Sequence, residues 1–554
     1  GLLLLANLGF LFFPEILDLE RISLAWQWRG LEIQQSRWSP FGNITVGKRE
    51  EQLTFFVNGI PVLNSPVPDV ARIEELVHFP LLLQPSPERI LVVGGGFGGV
   101  ITEVLKHPVK EVHYAEIDPL LMAMIEENLT SLTRQEFENP KVRVHRVDAR
   151  RFIRAVPLKF HCVIMNLPGP FTLQLNRFYT VEFFQEVFNL LAEEGIFSFS
   201  LPGSETYFNR EVRDLNLSLI HSLQGVFPSI WVIPGSVNLV LAGKSPAMGP
   251  IPRATLVDRL QARRISPLFL TDLHLQQKLD PERQRWVADA FRQGREVRAN
   301  FDAKPSGLYY GIAYWNTEFH PFFQRFWGRL DQLHFAHVVL FLSLFLAGGL
   351  LFQKKRKRAP ERWVLIWVIS TTGFFGITIT ILLIFAFQTL HGYVVQWIGL
   401  LIAAFMGGVA GGSWRMTRIL PTIRNFRRTL VITELFIILW SALAMVALSV
   451  FYSPDFEKGD SLLLPAGFLM LSIVAGYLVG LEFPLVNGFF YGPQNGMARS
   501  AGILYAADLL GAWAGSLLVG VIFIPVLGIL PTCGIVILLK AGSGLLALRL
   551  NGSP

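Results

Sequence analysis

The chain has 554 residues; 51% of them are hydrophobic, only 16% are charged, and the mean hydropathy is +0.42. These values exclude a protein that is soluble along its whole length, because ordinary soluble domains carry about 25% charged residues. The net charge of +7 does not indicate nucleic-acid binding, since many basic residues gather in short loops between apolar runs. Two cysteines, Cys162 and Cys533, are too few for a disulfide framework or a cysteine metal cluster.

Residues 1–37 open on the apolar run GLLLLANLGFLFF. The run is too short to cross a bilayer and lacks the basic leader of a signal peptide. We interpret residues 1–37 as the end of an upstream membrane segment followed by a linker. A buried helix of the soluble domain is the alternative.

Residues 88–248 alternate strand-like and helix-like stretches, which predicts a parallel α/β sheet. The stretch ERILVVGGGFGGVITEVLKH predicts a strand, a glycine turn and a helix. Three further strands follow: one ends in Glu116 and Asp118, the next in Asp148 and Ala149, and the last in Asn166. An acid about 20 residues after a glycine turn is typical of nucleoside binding, and ligands bind where parallel strands end.

Residues 249–330 predict a helical extension, in which RATLVDRLQARRI and PERQRWVADAFRQGREVRAN are amphipathic with basic faces. These helices could cover the sheet, contact anionic lipid headgroups or dock a partner. The sequence leaves the three alternatives open.

Residues 331–554 contain six or seven segments apolar enough to span a membrane at about 20 residues each. The segments begin near residues 333, 363, 394, 429, 461, 501 and 529, and they predict an all-α polytopic transmembrane bundle. The loop QKKRKRAPER and the loop from Arg415 to Arg428 are basic, whereas QTLHGY has no lysine or arginine. The positive-inside rule therefore places the basic loops in the cytoplasm and the soluble domain on the opposite side.

Four ionisable residues fall inside these segments: Glu434, Glu482, Asp508 and Lys540. Such residues are costly in hydrocarbon and are therefore candidates for function. The three acids could face one polar cavity. Hydrogen bonding between helices, or snorkelling to the interface, is the alternative that the sequence leaves open.

The motifs of the soluble region resemble spermidine synthases, the aminopropyltransferases that use decarboxylated S-adenosylmethionine. The likeness runs from residue 39 to about 245 through SPFGNITV, FFVNGIPVLNS, EELVHFPLLL, GGGFGG, AEIDP, RVDARRF and LNRFYTVEFFQEVFNLLAEEGIFSFSL. It implies a Rossmann-like, methyltransferase-type domain over 88–248, preceded by a small N-terminal β-domain over 38–87. With its C-terminal spans, the chain further resembles bacterial multi-span proteins in which a spermidine-synthase-like domain is fused to a transporter-like membrane domain.

The resemblance also implies which site residues are kept and which are lost. The nucleoside side of the crevice is kept, with the residues Gly94, Gly95, Gly96, Gly98, Glu116, Asp148 and Ala149. On the amine side, Phe97 replaces the acid of the family's GGGDG loop, and Asn166 replaces the catalytic acid that ends the fourth strand. An amide has no basic pair near neutral pH, so a base contribution of about 10²- to 10⁴-fold is lost. We expect the ring of Phe97 to fill part of the cation site.

These losses predict a catalytically degenerate protein, without a catalytic residue or a metal site, that acts as a structural subunit of a membrane complex. An S-adenosylmethionine-type nucleoside could still bind the kept residues, or those residues could serve architecture alone. Two other functions stay open: an active aminopropyl- or other transferase on an adenosyl cofactor, and a transporter with a soluble cap. The expected partners are the lipid bilayer and other membrane or extracytoplasmic protein subunits, without nucleic acid. The expected location is the cytoplasmic (inner) membrane of a bacterium, with the soluble domain on the non-cytoplasmic side.

Overall fold

The computed structural model describes residues 23–24, 26–317, 321–355, 360–392, 395–453, 463–490 and 497–550. The apolar run interpreted as the end of a membrane segment lies outside these residues, and so do residues 356–359 of the first basic loop. The chain divides into two compact units. The first consists of Gly1–Pro168, Gln185–Tyr207 and Val226–Arg292, and the second of Gly169–Phe184, Phe208–Gly225 and Gln293–Pro554.

The first unit begins with a four-stranded antiparallel sheet, which confirms the small N-terminal β-domain. Its strands pair in chain order and are Glu32–Ser39 (β1), Gly42–Arg49 (β2), Gln52–Val57 (β3) and Ile60–Ser65 (β4). Asn58 and Gly59 form a two-residue turn with φ of 52° and 81°, because these residue types tolerate the left-handed backbone that a tight hairpin needs. β1 starts ahead of the limit predicted at residue 38.

A seven-stranded sheet with helices confirms the Rossmann-like α/β domain. The strands are Arg89–Val93 (β5), Glu111–Glu116 (β6), Val142–Arg146 (β7), Phe160–Met165 (β8), Leu191–Pro202 (β9), Ser229–Ile233 (β10) and Val237–Gly243 (β11). Their order is β10-β11-β9-β8-β5-β6-β7; β5 to β9 run parallel, and β10 and β11 are antiparallel. β5 after Arg89 and β8 apart from His161 are apolar, as expected for central strands covered on both faces.

The helices outside the membrane segments are short, and several begin at a residue whose side chain caps a backbone N–H. In the described part of the chain they are Val70–Leu83 (α1), Val100–Leu105 (α2), Pro119–Glu127 (α3), Ser131–Glu138 (α4), Ala149–Ala155 (α5), Leu173–Asn176 (α6), Val181–Leu190 (α7), Arg210–Gln224 (α8), Arg253–Ala262 (α9), Asp272–Lys278 (α10), Pro281–Arg292 (α11), Ser306–Thr317 (α12) and Pro321–Leu330 (α13).

The start of the helical extension packs into the core of the first unit. Leu256 of α9 and Leu275 of α10 are fully buried in the same apolar cluster as Val92 of β5. Arg259 and Arg263 of the same segment donate to backbone carbonyls at the end of α1, at 2.9 Å for Leu83 and 2.8 Å for Leu81. Carbonyl groups at a helix end lack partners within the helix, so these arginines satisfy them. This part of the extension therefore covers the core.

The C-terminal region is all-helical, which confirms the predicted transmembrane bundle. Its helices are Phe335–Lys355 (α14), Pro360–His391 (α15), Val395–Ile419 (α16), Phe426–Phe451 (α17), Leu463–Phe490 (α18), Met497–Leu518 (α19, continued by a π-helical stretch Val519–Leu527) and Ile529–Ala547 (α20). Among the described residues, the six helical segments from α15 to α20 are long and apolar enough to cross a bilayer, and α14 holds a shorter apolar stretch. α17 exposes Leu435, Phe436, Leu439 and Leu443, as a lipid-facing surface would.

Glycines allow α16 and α18 to approach each other at backbone distance. A Cβ on Gly408 or Gly412 would collide with backbone atoms of α18, and a Cβ on Gly476 or Gly480 would collide with those of α16. A spacing of four residues places each pair on one helix face. Small residues at this spacing are typical of close helix contacts in membranes, where packing rather than the hydrophobic effect joins helices.

Candidate functional site

The glycine turn joins β5 to α2 and has the strand–turn–helix form that the sequence predicts. Gly94, Gly95, Gly98 and Gly99 have φ of 66°, 50°, 84° and 114°, a region that L side chains rarely occupy. The N–H of Gly94 donates to the carbonyl of Ala115 on β6 at 3.1 Å. The turn is thereby fixed against the neighbouring strand at the edge where the parallel strands end.

Phe97 lies in the core and not in the cation site, where we expected its ring. Its side chain is 2% exposed, stacks on Phe137 with ring centroids 5.0 Å apart, and meets the edge of Tyr114 at 5.2 Å. Burial of an aromatic ring stabilises the fold, so the side chain of Phe97 points into the core and away from the strand ends. The ring of Phe97 is therefore part of the core packing around Tyr114 and Phe137.

Glu136, a residue that the sequence did not single out, occupies the start of α2. Its carboxylate accepts the N–H groups of Gly98 and Gly99 at 2.8 Å each, and the N–H and hydroxyl of Thr102 at 3.1 Å and 3.0 Å. Burial raises the pKa of this carboxyl, and the four donors oppose that rise. Backbone N–H groups at a helix start form a natural anion site. In this protein Glu136 of α4 fills that site, and no local sequence signal marks a carboxylate supplied from another helix.

Glu116 ends β6 in the predicted place and is held by two internal donors. Its Oε2 accepts the Tyr114 hydroxyl at 2.8 Å and its Oε1 accepts the N–H of Asp118 at 3.2 Å. Burial raises the pKa of this carboxyl. A carboxylate offers about four acceptor directions, so Glu116 keeps acceptor capacity that a ribose hydroxyl could use. On this side the residues fit an adenosyl nucleoside.

Asp118 and Asp148 both cap helices. Asp118 accepts the N–H of Leu120 at 2.9 Å and the hydroxyl of Ser39, on β1, at 2.6 Å. Asp148 accepts the N–H of Arg151 at 3.1 Å, and Ala149 is the buried first residue of α5. Because an aspartate cap contributes about 1 kcal/mol to helix stability, an architectural role suffices to explain both acids.

Asn166 ends β8 beside the glycine turn and contacts a positive charge. Its Nδ2 donates to the carbonyl of Gly95 at 2.8 Å, and its Oδ1 accepts Arg72 Nη2 at 3.0 Å. The resemblance implies that Asn166 stands at the position of the amine-activating acid, and the structure adds a guanidinium at its amide oxygen. Arg72 was not anticipated, because its helix, α1, is distant in sequence and meets this strand end only in the fold.

A histidine network lies behind the turn. Arg263 donates to His107 Nδ1 at 2.9 Å, so His107 presents Nε2–H to His78 Nδ1 at 2.8 Å. The remaining nitrogen of His78 lies 3.2 Å from Glu103 Oε2. Burial, with the nearby His78 and Arg263, lowers the pKa of His107 to about 2, so this ring is neutral near neutral pH.

One potential metal-ligand group occurs among the described residues. Atoms of Glu74, His78 and Glu103 lie within 4.8 Å of one another. The Glu74 carboxylate accepts the N–H groups of Leu268, Phe269 and Leu270 at 2.6–2.7 Å. Because these three N–H groups occupy the Glu74 oxygens that would have to coordinate a cation, we assign no metal to the group.

The RVDARRF motif supplies a buried ion pair. Arg150, which is fully buried, donates to Glu186 at 2.9 Å, and Arg154 donates to the same carboxylate at 2.8 Å. Burial opposes ionisation of Glu186, but the two arginines outweigh it and lower the pKa of this carboxyl. The pair joins α5 to α7 and has no part in the crevice chemistry.

The strand order decides which predicted residues meet. β5 lies between β8 and β6, so Gly94 to Gly96 lie between Asn166 and Glu116, while Asp148 follows β7, one strand further. Gly96 packs against the ring of Tyr114, and Gly95 packs against Asn166. Glu116, the glycine turn and Asn166 therefore lie side by side at one edge of the sheet.

Residues 70–238 match the family model of the spermine/spermidine synthase domain. Curated relatives include a polyamine aminopropyltransferase of Desulforudis audaxviator, 32% identical over 32% of this chain and 61% of that protein. Polyamine aminopropyltransferase 2 of Aquifex aeolicus is 28% identical over 39% of this chain and 44% of that protein, and the Korarchaeum cryptofilum polyamine aminopropyltransferase is 36% identical over 22% and 38%. A crystal structure of spermidine synthase from Thermotoga maritima has a TM-score of 0.39 and 20% identity, covering 47% of this chain and 87% of that one.

The chain spans about two fifths to three fifths of the length of these curated relatives. Residues 70–238 are thus similar to the spermine/spermidine synthase domain, and six described helical segments after residue 238 are long and apolar enough to span a membrane.

Proposed function

We propose that the synthase-like domain no longer transfers aminopropyl groups and serves as a rigid, membrane-anchored platform for other protein subunits. One observation carries the proposal: Asn166 stands at the strand end where the family places its base, and its oxygen already accepts Arg72 at 3.0 Å.

The chemistry of the amine side supports this loss of activity. Aminopropyl transfer needs an amine that has lost a proton before it attacks. The Asn166 amide cannot take that proton, which removes about 10²- to 10⁴-fold in rate. The domain also lacks the loop acid at Phe97, and each charge-assisted hydrogen bond lost to an ammonium costs roughly 1.5–3 kcal/mol.

Arg72 adds a repulsive effect on the same ligand. Its guanidinium stays charged at every physiological pH, and a polyamine carries several positive charges. The residue is exposed as a whole, but desolvation of the guanidinium lowers the pKa of Arg72, so its charge is only partly screened by solvent. The repulsion from this charge and the missing base act in the same direction.

The internal use of the acids supports a platform. Glu136 fills the helix start, while Asp118 and Asp148 cap helices. These contacts rigidify the loops that in an enzyme would hold a ligand. A rigid sheet domain tied to membrane helices suits a subunit that positions partners. The basic loops support a place on the non-cytoplasmic side of a bacterial inner membrane.

An activity assay tests the loss of catalysis. The full chain, purified in mild detergent, is given putrescine and decarboxylated S-adenosylmethionine, with an active aminopropyltransferase as positive control. We expect no spermidine above background from the wild type, nor from Asn166→Asp, since the loop acid is still missing. Turnover at an enzyme-like rate by the wild type would overturn the proposal.

A second experiment tests the platform. Cross-linking with mass spectrometry on membranes should place partner peptides on exposed lysines of the first unit, such as Lys110 and Lys141. Native-size measurement in mild detergent should give an assembly larger than one chain, unchanged by Asn166→Asp. A chain that runs alone, with no cross-link from the first unit to another protein, would contradict this role.

Binding of a nucleoside is a separate outcome. The acceptor capacity left on Glu116 favours it, and calorimetric titration with an adenosyl nucleoside measures it. If the wild type binds the nucleoside without turnover and Glu116→Gln does not bind it, the domain is a platform that binds a nucleoside.

A further inference from the structure

The membrane helices bring three of the ionisable residues noted in the sequence into one buried cluster. Lys540 Nζ of α20 lies 3.0 Å from Glu434 Oε2 of α17 and 3.2 Å from Glu482 Oε2 of α18, and it donates to Thr372 of α15 at 2.9 Å. Ser543 of α20 donates to Glu434 Oε1 at 2.7 Å. The two carboxylates and the ammonium are at most 1% exposed, so four helices enclose the cluster.

The charges of the cluster do not balance. Two carboxylates share one ammonium, which leaves one negative charge when every group is ionised. Lys540 donates to Glu482 and Thr372 and forms an ion pair with Glu434 at 3.0 Å, so its three N–H groups face three partners. An isolated charge buried in hydrocarbon is very costly, and a titratable group neutralises itself instead.

One carboxylate oxygen of the cluster, on Glu482, has no hydrogen-bond donor in the described part of the chain. Glu482 Oε1 is buried and has no hydrogen-bond partner among the residues that the structure describes, while Oε2 accepts Thr372 at 2.6 Å and Lys540 at 3.2 Å. Glu434 accepts Ser543 on Oε1, and its Oε2 has no hydrogen bond among the described residues but lies 3.0 Å from the Lys540 ammonium. The ammonium compensates that oxygen of Glu434, which makes Glu482 Oε1 the candidate position for a proton.

The other elements packed around Glu482 offer no second cation. α19 supplies a further acid, Asp508, which packs against Gly373, next to Thr372, and repels Glu482. α16 presents Gly412 and Ser413 to this stretch of α18. The charged groups facing Glu482 from the described helices are thus two acids, Glu434 and Asp508, and one cation, Lys540.

We propose that this cluster is a proton-binding site of the membrane bundle, with the proton on Glu482 Oε1 and a Glu434–Lys540 ion pair beside it. The site is independent of the role proposed for the first unit. Because the site is closed on all sides by helices, the proton can exchange with water only when helices part. Proton uptake and release are therefore linked to movement of α15, α17, α18 and α20.

Infrared difference spectroscopy of the full chain in lipid nanodiscs tests the site. At near-neutral pH the wild type should give the C=O stretch of a protonated carboxyl, shifted by deuterium exchange. Glu482→Gln should abolish this band, whereas Glu361→Gln, at an exposed acid at the start of α15, should leave it unchanged. Lys540→Met should roughly double the band, because both acids then need a proton.

The same spectra can overturn the proposal. A wild type without the band carries both acids ionised, which refutes the proton site. A band lost in Asp508→Asn but kept in Glu482→Gln puts the proton on the wrong residue. The amide I band and monodisperse elution verify that each variant is folded. If Glu482→Gln does not fold, the increase in Lys540→Met decides, and an unchanged band there refutes the site.

Discussion

Buried carboxylates have different surroundings in the two units. In the first unit, Glu136 accepts four donors and Glu186 binds two arginines. In the membrane bundle, Glu434 and Glu482 share one lysine, and an oxygen of Glu482 has no partner among the described residues. A carboxylate whose oxygens all accept hydrogen bonds or ion pairs within the protein stabilises the fold. A carboxylate whose negative charge is not balanced can bind a proton. This unmatched charge is the physical basis of the proton site that we propose for the membrane helices.

The largest effect should come from the saturated ion pair of the first unit. Replacement of Glu186 by alanine removes the carboxylate that Arg154 and the buried Arg150 both contact, which costs about 3–5 kcal/mol. Hydrogen–deuterium exchange of the full chain in detergent should show amides of α5 exchanging at least about 100-fold faster. Glu193→Ala, at an exposed acid whose side chain is 95% accessible, is the matched control and should leave exchange unchanged. If both variants change the exchange of the α5 amides equally, the ion pair of Glu186 with Arg150 does not stabilise α5.

Glu136→Gln should be next in size. An amide has one acceptor oxygen where the carboxylate has two, so some donors at the start of α2 lose their partner, at a cost of about 2–3 kcal/mol. Exchange of the α2 amides measures the loss. Glu138→Gln changes an exposed acid on the same helix and serves as control. If α2 stays as protected as in the wild type, Glu136 does not hold the turn.

The membrane unit depends on close packing where the first unit depends on buried charge. Leucine at Gly408 would push α16 away from α18, with an overpacking cost of about 1–3 kcal/mol. The thermal midpoint of the detergent-solubilised chain should fall. Gly407→Leu adds the same side chain one residue earlier, where the site is open, and should have no such effect. Similar midpoints for the two variants would mean that the glycine contact is dispensable.

The smallest predicted effect depends on pH. The pKa of His107 is about 2 in the fold and about 6.5 in an unfolded chain, so protonation favours unfolding as the pH falls below about 6.5. Between about pH 7.5 and about pH 5.5 the stability should drop by about 1.4 kcal/mol because of this residue. Glu116 and Glu136, whose pKa values are raised, act in the opposite direction above about pH 4.5.

The contribution of His107 to the pH dependence of stability is therefore measured as the difference between the wild type and His107→Gln. Protection of the α2 amides, corrected for intrinsic exchange, is compared at the two pH values. The wild type should lose more protection than the variant. Parallel losses would show that the histidine is not neutral in the fold.

Much of the fold could be predicted because its signals are local in the chain. The run LVVGGGFGG fixes a strand and a turn, and long apolar runs fix the membrane helices. The family resemblance supplied the order of the motifs, and the domain match over 70–238 confirms it. The conformations of Gly94 and Gly95 follow from the same local pattern.

The site was less predictable because its partners come from distant segments. Arg72 reaches Asn166 across 94 positions, and Glu136 reaches Gly98 across 38. The ring of Phe97 turns into the core through contacts with Tyr114 and Phe137, which no local pattern shows.

The sequence by itself determined the strands, the glycine turn, the apolar helices and the absence of an acid at positions 97 and 166, because each is a property of neighbouring residues. Only the tertiary structure decided which charges meet. Glu434, Glu482 and Lys540 are up to 106 positions apart, and four helices must pack before their charges can be counted together. Electrostatic energy depends on distance in space, and chain separation does not give that distance.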